Sequence, residues 1–165
     1  MRRRPAAGGW RTYAATSAAV TATAAIGSKA VNAGSSWYRS LAKPPWQPPS
    51  GTFGVVWPPL YASIAWAGGR ALPRARGRRQ QALAAGLGVN LVLNAAWSRL
   101  FFGRRSTRAG LVGTVLLDIS NADLIRRTAA VDTAAAGALV PYAAWCAFAT
   151  ALTADIARRN RQGPA

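Results

Sequence analysis

The chemistry this chain offers lies in its aromatic side chains and a few polar groups placed among them. Its 165 residues include seven Trp, four Tyr and four Phe, with no His and a single Cys, Cys146. An indole gives a large flat face for stacking on a ring system or packing along an elongated apolar molecule, plus one N–H donor. Asn94 and Trp97 stand i, i+3 in an uncharged stretch, so on a helix they share a face. There, an amide that both donates and accepts can orient a ligand in apolar surroundings. Trp57, Asn94 and Trp97 together point to a pocket, whereas any one Trp alone reads as helix packing or an interfacial belt. Lys43, or the arginines near it, can pair with a ligand carboxylate.

Other chemistries are thinly represented. Without His the chain lacks the commonest general base and the commonest metal or haem ligand. Cys146 has no partner for an intrachain disulfide and reads as a small buried apolar filler. No acid/base constellation supports a conventional hydrolase or transferase, so neither a catalytic residue nor a metal site is assigned. Asp118 and Asp123 are five apart and share no helix face well. Pairing with Arg99 or with loop arginines is expected of them rather than a proton relay. Asp155, beside Arg158 and Arg159, reads as an exposed helix-end pair.

The elements that position these residues follow from the charge pattern. Hydrophobic residues make up 51% of the chain, yet 21 Lys and Arg against four acidic residues give a formal charge of +17. The cations are bunched, and residues 12–28, 44–69, 80–98 and 133–154 carry none and no acid. Those lengths approach the roughly 20 residues a helix needs to cross a bilayer. Arginines at span ends meet anionic headgroups, which favours a membrane over nucleic acid as the partner. The reading is an all-α membrane protein, a bundle of five transmembrane helices over about 12–32, 53–72, 80–102, 107–125 and 134–156. A basic N-terminal tail over 1–11 and a basic C-terminal tail over 158–165 flank the domain, 12–157. The cations divide too evenly between the two sides to fix orientation.

Between the first two spans, Lys43-Pro44-Pro45-Trp46-Gln47-Pro48-Pro49 cannot be helix interior and reads as a stiff loop. Pro58-Pro59 are expected to kink the second span or delay its start, and Pro141 to sit at the opening of the fifth. Ala82, Gly86 and Asn90 make a small-residue stripe that would permit close helix approach and dimerisation.

Four blocks carry a resemblance: Trp37-Tyr38-x-x-Leu41-x-Lys43-Pro44-x-Trp46-x-Pro48-Pro49; Phe53-Gly54-x-Val56-Trp57-x-x-Leu60-Tyr61; Leu93-Asn94-x-x-Trp97-Ser98-x-Leu100-Phe101-Phe102-Gly103; and Val140-Pro141-Tyr142-x-x-Trp145-x-x-Phe148-Ala149-Thr150. In order and spacing they resemble the TspO/MBR family of translocator proteins, peripheral-type benzodiazepine receptors and tryptophan-rich sensory proteins. The resemblance implies a five-helix bundle, frequent homodimers, and a pocket for porphyrins, sterols or synthetic ligands roofed by the loop after the first helix. Carried over by position, the pocket is lined by Trp57, Tyr61, Asn94, Trp97 and Trp145, with Trp37, Lys43 and Trp46 in the roof. Porphyrin is the implied ligand, no cofactor is required, and the protein would sense, scavenge or transport it. Light- or oxygen-dependent porphyrin breakdown, resting on Trp57 and Trp145, is a second reading; a passive channel or scaffold is a third. Departures from the family pattern are Val55, Pro58, Arg99 and Thr153. Ala154 stands where the sterol-recognition pattern needs an aromatic, and this moves the expected ligand away from cholesterol.

Overall fold

The four uncharged stretches fall largely within helices, most of which have arginines in or just beyond their last turn. The structure, a computed structural model, describes residues 9–160. These hold five long helices: α1 (Gly9–Ala30), α3 (Ser50–Ala71), α4 (Gly77–Ser98), α5 (Thr107–Ala129) and α6 (Thr133–Arg159). A five-residue helix, α2 (Ser36–Ser40), lies in the first connection, and a π-helical turn, Arg99–Gly103, extends α4. Among the described residues no strand occurs. Side-chain caps set three of the helix starts: Ser35, Ser106 and Asp132 accept from the backbone N–H of Tyr38, Ala109 and Ala135.

Packing closes the long helices into a ring in the order α1, α3, α6, α5, α4 and back to α1. Two contacts show how. The Thr16 hydroxyl donates across to the Ala65 carbonyl at 2.9 Å, and Gly69 lets the Tyr13 ring lie against α3, where a Cβ would come within 2.2 Å of Tyr13 Cδ1. Inside the ring, Ile64, Asn90 and Tyr142 are the largest fully buried side chains. Outside it, Val89, Val92, Val112, Ile119 and Val140 are more than half exposed. Of the described helices, α6 is the one long and apolar enough, at a mean hydropathy of 1.5, to cross a membrane by composition.

Several expectations need correcting. Pro58 and Pro59 do not delay their helix: α3 starts at Ser50 and runs through both. Pro141 is likewise interior, because α6 starts at Thr133 and not just before it. Each proline removes the donor for the carbonyl four residues back, at Gly54, Val55 and Gly137. All three of those residues are exposed, and nothing lies within 4 Å of a Cβ placed at either glycine, so the backbone has room around the ring. The tail boundaries also move, since α1 takes in Trp10 and Arg11 and α6 takes in Arg158 and Arg159. The remaining tail residues, 1–8 and 161–165, lie outside the described residues. Finally, the Ala82, Gly86 and Asn90 stripe is used within the chain. Asn90 is fully buried, and a Cβ at Gly86 would sit 3.5 Å from Arg127 Cδ.

Candidate ligand-binding site

A hydrogen-bonded chain of side chains crosses the centre of the ring and links four helices. The Tyr61 hydroxyl on α3 donates to Asn94 Oδ1 on α4 at 3.0 Å, and Asn94 Nδ2 donates to the Tyr142 hydroxyl on α6 at 3.0 Å. Tyr142 donates in turn to Asn90 Oδ1 at 3.0 Å, one turn before Asn94. Asn90 Nδ2 then reaches α5, at 2.7 Å from Asn121 Oδ1 and 3.2 Å from Ser120 Oγ. Groups this deeply buried need partners, and here each hydroxyl and amide supplies the next as far as Asn121, whose Nδ2 is buried with no partner among the described residues. Trp57 lies on this chain, stacked on Tyr61 with ring centroids 5.1 Å apart and edge-on to Tyr142 at 6.3 Å.

Two aromatic clusters lie beyond it. In one, Trp97 stacks on Phe101 at 5.5 Å and 17°, and Trp37 meets the same ring edge-on at 5.5 Å. The π turn makes this possible: its wider i→i+5 bonds, Arg104 N–H to Arg99 O and Ser106 N–H to Phe101 O, bring Phe101 to 3% exposure. Gly110 leaves the space, since a Cβ there would be 2.4 Å from Phe101 Cδ2. In the other cluster, Trp145 stacks on Phe148 at 5.2 Å and meets Phe53 edge-on at 5.6 Å, while Trp46 approaches Phe148 at 5.8 Å. Among the described residues the indole N–H groups of Trp97 and Trp145, both buried, have no hydrogen-bond acceptor.

The roof is a folded segment. Asn160 at the end of α6 holds it by accepting from Ala42 N–H and donating to Ala42 O, both at 3.0 Å. Gln47 donates to the Tyr38 hydroxyl at 3.2 Å, and burial pushes the Tyr38 phenol above its ordinary value against the opposing effect of that bond. Lys43 is committed here. Its ammonium lies 4.5 Å from the Tyr38 ring centroid and donates to the carbonyls of Tyr38 and Leu41 at 2.5 and 3.3 Å, with Arg39 O at 3.5 Å. It therefore fastens the end of α2.

Seven of the eight expected residues thus fall into three groups: Trp57, Tyr61 and Asn94 are joined directly, Trp97 meets Trp37 through Phe101, and Trp145 meets Trp46 through Phe148. The eighth, Lys43, lies over Tyr38, whose ring meets Phe101 edge-on at 6.2 Å. Asp123 pairs with Arg126 and Arg127 as expected, whereas Asp118 departs from expectation and accepts from the Thr150 hydroxyl at 2.6 Å. Asp155 pairs with Arg158 and Arg159 as expected. Sequence reasoning missed Tyr142, Asn90 and Phe101 as site residues. The i, i+4 spacing of Asn90 and Asn94 in an uncharged helix was the available signal.

Comparison with known proteins agrees with the residue blocks. The model of the TspO/MBR family matches residues 14–159. Over 139 residues the chain is 34% identical to the translocator protein of Homo sapiens, covering 82% of each chain. It is 37% identical over 131 residues to the tryptophan-rich protein TspO of Chlorobaculum tepidum, covering 76% of this chain and 80% of that one. It is 31% identical over 125 residues to the protein CrtK of Rhodobacter capsulatus, covering 75% and 78%. A match over most of its length, with the tryptophan blocks brought together around one bundle, makes this chain a member of the TspO/MBR family of membrane proteins.

Proposed function

We propose that the protein is a multi-pass membrane protein that binds a flat tetrapyrrole of the porphyrin or haem type through its aromatic clusters, to sense, scavenge or transport it. At 1.5 Å per residue, helices of 22 to 27 residues are roughly 33–40 Å long, enough for the hydrocarbon core. The exposed valines and isoleucine of α4 and α5 suit lipid contact on the outside of the ring. The observation that carries the ligand reading is the pair of buried, unpartnered indole N–H groups at Trp97 and Trp145. A buried donor without a partner costs about 1–3 kcal/mol, and a macrocycle with nitrogen or carboxylate acceptors would satisfy it while stacking on the same rings. Lys43, or the arginines near it, would pair with the propionate carboxylates. The test is quenching of tryptophan fluorescence by protoporphyrin in detergent. Saturable quenching that weakens in Trp97→Phe and Trp145→Phe supports the site, and quenching unchanged in both removes it. Loss of porphyrin absorbance only under illumination would instead favour breakdown.

A further inference from the structure

At the roof end of the bundle, a cleft of about 240 Å3 opens between α2, the turn after the π helix and the end of α6. Trp37, Leu41, Arg105, Thr107, Arg108 and Asn160 are among the residues that line it. It lies outside the ring and is separate from the aromatic site, although Trp37 belongs to both. Its charge is one-sided. All four acids of the chain are engaged elsewhere: Asp118 with Thr150, Asp123 with Arg126 and Arg127, Asp132 with Arg70 and Arg74, and Asp155 with Arg158 and Arg159. Among the described residues no carboxylate lines the cleft, and the guanidinium groups of Arg105 and Arg108 have no hydrogen-bonded or ion-paired partner. Arg105 is also held at φ 49°, a left-handed conformation that glycine or asparagine takes at lower cost.

We propose that this cleft binds a phosphate ester or free phosphate, with Arg105 and Arg108 as its charged donors and Thr107 as a neutral one. Guanidinium groups form bidentate, charge-assisted bonds with phosphate oxygens. The Thr107 hydroxyl and the Thr107 and Arg108 backbone N–H groups, open at the first turn of α5, add donors on consecutive residues. So many donors suit a tetrahedral oxyanion better than a planar carboxylate. The cleft sits where the bundle ends, so a phospholipid headgroup and soluble phosphate present the same chemistry to it.

The experiment uses the full chain purified in maltoside without phosphate and follows its thermal unfolding. Three additives are compared at equal ionic strength against chloride: inorganic phosphate, a short-chain phosphatidylglycerol and acetate. A saturable rise in Tm with phosphate or with the lipid, absent with chloride and acetate, is expected. A response to the lipid alone assigns the site to a headgroup, and a response to phosphate alone to the free ion. Arg105→Gln with Arg108→Gln should weaken the apparent Kd by about tenfold or more, whereas Arg78→Gln with Arg79→Gln should leave it unchanged. Arg105→Gly removes the guanidinium yet relieves the backbone, so it should keep or raise the basal Tm while losing response. An equal rise with chloride or acetate, no response to either phosphate probe, or a full response in Arg105→Gly would overturn the proposal.

Discussion

Replacing Tyr142 with Phe removes one oxygen from the centre of the ring and tests whether the polar chain holds the helices together. The ring stays to pack against Trp57, but Asn94 Nδ2 loses its acceptor and Asn90 Oδ1 its donor, at residues 6% and 0% exposed. In a water-soluble core each orphan would cost about 1–3 kcal/mol. Between helices in apolar surroundings the separated state also finds partners, and the cost per bond falls to about 0.6, at most about 1.7 kcal/mol. On the proposed multi-pass reading the second regime applies, so two lost bonds give about 1–3 kcal/mol. For a chain of this size that lowers Tm by about 2–12 °C. The assay is thermal unfolding in detergent followed by circular dichroism, with Tyr13→Phe, whose ring is 37% exposed, as the control. Pairing Tyr142→Phe with Asn90→Ala should give a coupling above about 0.5 kcal/mol. A Tyr142→Phe protein as stable as the control, or additive effects in the pair, would refute the linkage.

Three further outcomes are expected. Gly110→Ala drives a methyl into Phe101, which is too buried to yield, and should cost about 1–3 kcal/mol and change the emission of the neighbouring tryptophans. Asp132→Ala should lose about 1 kcal/mol of helix capping in the same unfolding assay, whereas Asp132→Asn keeps the bond to Ala135 N–H and gives up only the pairing with Arg70 and Arg74. The bond from Ala135 N–H, followed by Arg70, holds the Asp132 carboxyl below its ordinary value against the opposing effect of burial. A depressed carboxyl adds stability above its unfolded value, near pH 4, and loses it as pH falls through the folded one. The acid limb of the stability profile should therefore flatten in Asp132→Asn.

Four of the long helices were legible because a charge-free run of roughly 20 residues leaves few other places for a helix to stop, and α5, with Asp118 and Asp123 inside it, because arginines lie near both its ends. The ends that moved are those where a local rule yields to context. Pro58, Pro59 and Pro141 read as boundaries, yet Gly54 and Gly137 give the backbone room to pass them. The aromatic positions were legible by type and spacing, but not their grouping, because the π turn that redirects Phe101 leaves no periodic signal in Arg99 to Gly103. The contacts of Lys43 were hidden for a related reason: only the fold brings the carbonyls of Tyr38, Arg39 and Leu41 onto its ammonium. Tyr142 was visible in its block, but its position between two asparagines needs the packing of α6 on the ring to be seen.

The most direct test of the account is a titration of the full chain with protoporphyrin, read by the Soret band, with cholesterol as competitor and Trp97→Phe with Trp145→Phe in parallel. The account predicts saturable binding that weakens by about tenfold in the double variant, as two satisfied donors and two indole faces are lost. Cholesterol should not displace the porphyrin, given Ala154 where a sterol pattern needs an aromatic. Unchanged binding in the double variant, or displacement by cholesterol, would contradict it.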